Sequence, residues 1–221
     1  MAISALRRRL DALPSQPFYT HYEGDARIEL SAVTFANWVD KTCNMLEDMG
    51  VDPTEVVQLD LARSHPGHWV TMVWVAACWQ RGCTVSLDAD PTAVMVVTGP
   101  DAVADTRMTV ACSLHPLGLG FPVAPVGCTD YAEVLSQPDS HVAEPLSPHD
   151  VAVAPDTTFQ HLREVAPRSG RLLAADPVPG WESIRDLLVA PLLGNGSTVV
   201  VVGADEDAVE RIRTQERVEA G

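Results

Sequence analysis

The sequence predicts an α/β fold with a mainly parallel sheet and helices on both faces. The central observation is a strand, helix, strand unit over residues 56–87, because this order and spacing is typical of a right-handed crossover between parallel strands. Within the unit, every residue from Trp69 to Trp79 except Thr71 is apolar. A helix that is apolar all round must be covered on several sides, and this one is too short for a membrane span, which needs about 20 residues.

The segments before this unit predict two helices and one strand. A short amphipathic helix is expected over 2–12, and residues 14–30 are interpreted as a connector that ends in a strand at 26–30. Ser31 is a typical helix cap. It precedes an apolar stripe at helical spacing that ends at Gly50, so a long half-buried helix is expected there.

The segments after the unit continue the alternation of strands and helices, which favours a mainly parallel sheet. Strands are predicted at 93–97, 108–112, 151–154, 171–175 and 198–202, and helices at 130–135, 158–165, 181–193 and 205–219. Residues 113–128 are expected to form an ordered loop on the core. The chain is interpreted as one domain over 1–221, and the Pro-rich stretch 136–149 is both the most mobile segment and the one possible internal boundary.

Composition excludes several function classes. The net charge is −15 with a single lysine, and such a surface repels nucleic acid and anionic membranes. The arginines at 7–9 are not followed by an apolar run, so they do not begin a signal peptide. The odd number of cysteines, five, indicates reduced and mostly buried thiols. We therefore expect a cytoplasmic protein without nucleic-acid or membrane partners.

Several segments in collinear order resemble the N-terminal part of the adenylate-forming enzymes, the superfamily that includes acyl-CoA synthetases. Residues 30–36 (LSAVTFA) and the helix to Gly50 resemble the opening "TYAEL" segment, and residues 188–202 resemble a late "apLlaGatvVl" segment. Residues 61–64, 69–82 and 85–88 match further segments between them. The chain is also similar to short, degenerate actinobacterial relatives of this superfamily. The resemblance covers roughly residues 25–202 and implies the N-terminal α/β fold of these enzymes.

The resemblance fails at the chemistry. The family holds ATP phosphates in a Gly-rich loop that ends in Pro-Lys, where backbone N–H groups and a lysine meet the anion. At this position, after the strand ending at Ala154, only Pro155, Asp156 and Thr157 precede the helix that begins at Thr158. Asp156, Thr157 and Thr158 therefore mark a degenerate phosphate-loop position without glycine or cation. The chain also lacks the family's adenine motif and catalytic lysine, and we expect no catalytic residue of the family type and no cofactor.

Other candidate sites are open to more than one interpretation. The alternation of polar residues on the central strands predicts either a crevice near Asp60, Ser86 and Asp88 or a polar face that meets solvent or satisfied groups. His65 and His68 stand three residues apart at a helix start. A metal site there is conceivable, but a capping or surface role is favoured because no third ligand is near in sequence, so no metal is predicted.

We therefore predict a non-catalytic binding or regulatory protein on a degenerate adenylate-forming scaffold. Its ligand is expected to be small and apolar or carboxylic, and its partner a protein or a second copy of itself. The homodimer is predicted because apolar residues of the late helix fall partly off its inward stripe, namely Trp181, Leu187, Leu188, Leu192 and Leu193. Two alternatives remain: an enzyme of different chemistry at the Asp60 and Asp88 crevice, and one half of a split synthetase-like enzyme.

Overall fold

The structure, a computed structural model, describes residues 6–9 and 12–218 and contains two sheets. The larger sheet has seven strands and the smaller sheet four. All strand pairs in the two sheets are parallel except β1 with β2 and β8 with β9. The predicted α/β class and the mainly parallel pairing are confirmed, and the strands are divided between the two sheets.

The smaller sheet combines the two ends of the chain. Its order is β10 (Arg171–Ala175), β11 (Ser197–Val202), β1 (Pro17–Glu23) and β2 (Ala26–Ser31). The interpretation of the residues before 26 as a connector was wrong, because β1 occupies most of that segment. β1 and β2 form a hairpin whose two-residue loop begins with Gly24 at φ 55°, a backbone conformation that favours glycine.

The larger sheet is built around β3. Its order is β7 (Thr129–Asp130), β6 (Met108–Ala111), β5 (Met95–Thr98), β3 (Val56–Leu59), β4 (Thr84–Ser86), β8 (Val151–Val153) and β9 (Thr157–Thr158). The first strand of the predicted unit, β3, ends at Leu59, since Asp60 begins a short helix, α2 (Asp60–Ser64). β4 and β5 lie on opposite sides of β3, so the strand order reverses there.

The helices cover these sheets. They are α1 (Ala32–Asp48), α3 (Trp69–Arg81), α4 (Phe159–Glu164), α5 (Trp181–Ile184), α6 (Ala190–Gly194) and α7 (Glu206–Gln215), with a 3-10 helix at Tyr131–Ser136. A π-helical segment, Arg185–Val189, joins α5 to α6. Of the predicted helix over 2–12, residues 6–9 and 12 are helical and residues 2–5, 10 and 11 lie outside the described residues.

Helix α3 is the centre of the core, because all of its residues from Trp69 to Arg81 are buried. It packs against α1 and against β3 and β4. The helix ends at Gly82, which has φ 81° and so takes the left-handed position typical of helix C-termini. The crossover unit predicted from the sequence is thus present, with its apolar helix covered on several sides.

The late helix hides the apolar residues on which the predicted self-association depended. Leu187, Leu188 and Leu192 are buried, while Trp181 and Leu193 are half-buried against the core. The large apolar side chains that are exposed among the described residues lie mainly in the loops, including Leu117, Leu119, Val123 and Val126 of the segment 113–128. This loop is therefore packed on the core only in part.

The stretch 136–149 contacts α1 and α3 through hydrogen bonds. Lys41 and Asn44 of α1 donate to carbonyl oxygens between Gln137 and Ser140. Arg81 of α3 donates to Glu144 at 2.9 Å.

Every helix among the described residues falls short of the length and hydropathy that a membrane span requires.

Candidate functional site

A cavity of about 170 Å³ lies at the carboxyl edge of the smaller sheet. The parallel strands β1, β11 and β10 end here at Glu23, Val202 and Ala175, and ligands of open α/β sheets bind outside the carboxyl ends of the strands. The opposite wall is the segment between α2 and α3. We call this space the histidine cavity, and its lining residues are His21, Glu23, Ser64, His65, Pro66, Gly67, His68, Asp176, Pro177 and Val202.

Close packing holds the two walls of the histidine cavity together. Tyr19 of β1 donates its hydroxyl to the Gly67 carbonyl at 3.0 Å. A Cβ atom at Gly67 would lie 2.7 Å from Pro177 Cγ and 2.8 Å from Val200 Cγ1. Since real Cβ contacts are not this short, only glycine allows the segment before α3 to approach the smaller sheet so closely.

Two buried imidazoles meet inside the cavity. His21 and His68 are 1% and 2% exposed, and their ring centroids lie 4.6 Å apart at an interplanar angle of 66°. His68 Nδ1 accepts from the Val70 N–H at 3.2 Å and so caps α3, whereas His21 Nδ1 is buried without a hydrogen-bond partner. Glu23 is exposed, two residues along β1 from His21, and therefore lies on the same face of the strand.

Burial keeps these histidines neutral. It lowers the pKa of His21 to about 4, with a smaller contribution from the charge of His65. Burial also places the pKa of His68 well below its ordinary value, helped by the neighbouring imidazoles. The pKa of His65 is lowered by burial too, although Glu23 and Asp101 oppose this shift. Neutral imidazoles are ligands and hydrogen-bonding groups rather than fixed charges.

A neighbouring cavity of about 260 Å³ shares Ser64 and His65 with the histidine cavity. It lies between the carboxyl ends of β3 and β5, where the strand order reverses, and this too is a preferred ligand position. Its wall includes Asp60 and Arg63, which form an ion pair at 2.8 Å. Asp60 also accepts from Gln58 Nε2 at 2.9 Å.

The three predicted crevice residues stand in different surroundings. Asp60 lies in the wall of the neighbouring cavity. Ser86 is buried and donates to the main-chain carbonyl of Asp88 at 2.9 Å, while Asp88 itself is exposed. The polar face of β3 is satisfied locally, because Gln58 Oε1 accepts from the Asp90 N–H and from Arg107.

The degenerate phosphate-loop position is a tight hairpin. Val153 of β8 pairs with Thr157 of β9, so the chain reverses over residues 154–156. Asp156 is exposed in this turn. Thr158 forms a capping box with His161 at the start of α4, which commits its hydroxyl and its N–H to the helix.

The sequence pattern finds His65 and His68 at the start of α3 but not the two groups that join His68. These groups are His21 and Glu23, about 45 residues earlier in the chain. They were missed because the strand that carries them, β1, was not predicted. A usable signal was present: the aromatic and β-branched run Phe18 to Tyr22, between Pro17 and a Gly-Asp pair, is typical of a strand that enters a hairpin.

Comparison with known proteins identifies one relative of nearly the same length. The TIGR03089 family protein of Mycobacterium tuberculosis is 32% identical over 229 residues, covering 95% of this chain and 92% of that protein. No family model matches the chain.

Solved structures with the same fold are N-terminal parts of adenylate-forming enzymes. The acyl-CoA synthetase of Brucella canis has a TM-score of 0.80 at 16% identity, over 98% of this chain and 46% of the synthetase. The inhibitor-bound N-terminal domain of FACL13 from Mycobacterium tuberculosis has a TM-score of 0.74 at 13% identity, over 98% of this chain and 61% of that domain. A fatty acyl-adenylate ligase from L. pneumophila has a TM-score of 0.66 at 10% identity, over 98% of this chain and 43% of the ligase. The chain thus spans about half the length of the full enzymes, and the likeness at these identities is one of fold.

Proposed function

Because the chain belongs to the TIGR03089 family and has the scaffold of an adenylate-forming enzyme, we propose that it is a non-catalytic binding or regulatory protein on that scaffold. The observation that carries the proposal is the hairpin at residues 154–156, which stands at the phosphate-loop position. This turn contains no glycine and no cation, and its one charged residue is Asp156. Transfer of an adenylyl group needs positive charge and N–H donors around the reacting phosphate.

The retained features support binding. The carboxyl-edge cavities remain where open α/β sheets hold ligands, at about 170 and 260 Å³. These volumes suit a small ligand rather than a nucleotide with its phosphates, and we propose that this ligand is apolar or carboxylic. All five cysteines are free, which agrees with a place in the reducing cytoplasm.

The proposal predicts no ATP–pyrophosphate exchange by the purified protein with any carboxylic acid. The measurement is isotope exchange over a panel of short and long acids, with an active acyl-CoA synthetase as positive control. Thermal shift with the same panel detects binding, since a ligand that prefers the native state raises the melting temperature. Melting temperatures that rise with acids but not with Mg-ATP support a binding protein.

The decisive control is Asp156→Asn, which removes only the carboxylate from an exposed turn. If the native protein shows exchange and either Asp156→Asn or Asp60→Asn abolishes it, the proposal is overturned. A contaminating synthetase would be unaffected by either change. Exchange that persists in both variants and co-purifies with the chain through a further column would also overturn the proposal, whereas exchange that separates from the chain identifies a contaminant.

One observation favours an enzyme of different chemistry as a second candidate. Asp60 stands in the wall of the neighbouring cavity, which His65 also lines, and a carboxylate and an imidazole in one crevice are groups that act in acid–base catalysis. Turnover of any substrate that Asp60→Asn removes and Asp88→Asn leaves unchanged would establish this function, since Asp88 is exposed outside that cavity.

A further inference from the structure

Three metal-ligating side chains converge in the histidine cavity. His21, Glu23 and His68 each offer a ligand atom, and these atoms all lie within 4.8 Å of one another. They come from β1 and from the residue that caps α3, so two separate elements position them. The buried Nδ1 of His21 has no hydrogen-bond partner, and buried polar atoms are normally paired. A side chain that is 1% exposed with an unpaired nitrogen indicates that a partner is missing.

We propose that His21, Glu23 and His68 bind a divalent transition-metal ion, and that zinc fits this ligand set best. Two imidazoles and one carboxylate are a known three-ligand set for zinc, in which a fourth position stays open. Calcium and magnesium prefer six or more oxygen ligands, which this cluster does not supply. The site lies in one of the two cavities that the proposed function assigns to a ligand, but its test does not depend on that function, because metal binding is measured directly and none of the three residues belongs to the phosphate-loop position.

The geometry needs only a small closure of the ligands. Tetrahedral zinc with bonds of about 2.1 Å holds its ligands about 3.4 Å apart, so atoms within 4.8 Å must approach by at most about 1.4 Å. Glu23 supplies much of this movement, because its side chain is exposed at the last position of β1, next to the hairpin loop. The histidine cavity provides space on the open side of the ion for a water molecule or a small ligand.

His68 is the ligand that rearranges. In the described conformation its Nδ1 accepts from the Val70 N–H, so the neutral ring carries its proton on Nε2. Ligation through Nδ1 would use the lone pair that accepts from Val70, and ligation through Nε2 would move the ring proton to Nδ1, so either mode removes the acceptor of this bond. Metal binding therefore breaks the hydrogen bond from the Val70 N–H to His68 Nδ1. The surroundings of that N–H then change.

The electrostatics favour a cation. Metal ligation requires a neutral imidazole, and burial lowers the pKa of both His21 and His68. Glu23 supplies one negative charge to the ion, and Asp176 adds a second carboxylate to the cavity wall.

The test uses the full-length protein, stripped with a chelator and titrated calorimetrically with zinc chloride, with magnesium chloride as a second titrant. We expect one zinc ion per chain and no response to magnesium. Cobalt(II) in place of zinc should give the intense visible bands of a tetrahedral site. In amide spectra, zinc should shift the Val70 resonance strongly, as the loss of its cap bond requires.

Matched variants locate the site. Glu23→Gln changes an exposed residue isosterically, and His68→Asn removes the imidazole while keeping a side chain that caps helices well. Each should weaken zinc binding at least tenfold, whereas His149→Asn, at an exposed position remote in sequence from the cluster, should leave it unchanged. Absence of zinc binding by the native protein overturns the proposal, as does unchanged affinity in both Glu23→Gln and His68→Asn, which would assign the ion to other groups such as the free cysteines.

Discussion

His21 and His68 are buried almost completely beside each other, and this burial makes stability depend on pH. The folded protein holds His21 neutral with a pKa of about 4, because burial disfavours the charged ring, whereas the unfolded chain takes up a proton near the ordinary value of about 6.5. The unfolded state therefore binds more protons between these two values. The contribution of neutral His21 to the free energy of unfolding is therefore present above pH 6.5 and is lost as the pH falls towards 4.

We predict that the free energy of unfolding falls by about 2 kcal/mol between pH 7 and pH 5 through His21 alone. The measurement is urea denaturation at both pH values in the presence of a chelator, so that no metal contributes. His21→Gln, which cannot titrate, should reduce the pH dependence by this amount, while exposed His149→Gln should leave it unchanged. Equal pH dependence in all three proteins would show that His21 is protonated without cost.

At the scale of residues, the sequence predicted individual groups better than their partners. Asp60 was identified as a cavity candidate from the polar alternation of the central strand, and it does line a cavity. Ser86 was predicted from the same alternation, together with Asp88. The Ser86 hydroxyl instead donates to the main-chain carbonyl of Asp88, two residues later in the chain. His21 and His68 meet through the pairing of β1 with β11 and the position of α3, which depends on contacts between distant segments rather than on any local pattern.

At the scale of elements, helix α3 is tied to the degenerate phosphate-loop hairpin through one hydrogen bond. Trp79 is fully buried and donates its indole N–H to the carbonyl of Ala152 in β8 at 2.9 Å. Trp69, in the same helix, is also buried, but its indole N–H has no partner. The indole N–H is hydrogen-bonded in Trp79 and has no partner in Trp69. The two residues are therefore a matched pair for substitution.

We predict that Trp79→Phe lowers the free energy of unfolding by about 1–3 kcal/mol more than Trp69→Phe does. Both changes remove similar volume from the core, but only Trp79→Phe leaves a buried carbonyl without its donor, and that penalty has this size. Chemical denaturation of both variants at one pH checks it. Equal losses would mean that the Ala152 carbonyl finds another donor.

Elements with a strong local pattern were the predictable ones. The almost wholly apolar run of α3 and the Ser31 cap of α1 each have a local physical cause, and both are present. β1 was missed because Pro17, Thr20 and His21 interrupt its apolar character, and its place in the smaller sheet depends on β11, nearly 180 residues later. The division into two sheets is likewise a property of long-range pairing.

At the scale of the whole molecule, the apolar surface is distributed differently from the sequence-based expectation. The late helix buries Leu187, Leu188 and Leu192, and the hydroxyl of Thr198 in β11 donates to the Leu187 carbonyl, so this helix is covered by the chain itself. Apolar side chains are instead exposed in the loop 113–128, where Leu117, Val123 and Val126 are 75%, 84% and 94% exposed. The proposed homodimer therefore needs a different contact surface.

We propose that two copies associate through this loop, because paired apolar loops would remove large side chains from water. Each chain carries a net charge of −15, which opposes association at low ionic strength, and salt screens that repulsion. Light scattering at micromolar protein should give a mass near twice the chain mass of 23.8 kDa, with more dimer at high salt than at low salt. Combined serine substitutions at Leu117, Val123 and Val126 should restore the monomer mass, while Val178→Ser, an exposed position outside the loop, should not. A monomer mass for the native protein at every salt concentration would exclude the dimer and leave the loop as an ordinary exposed surface.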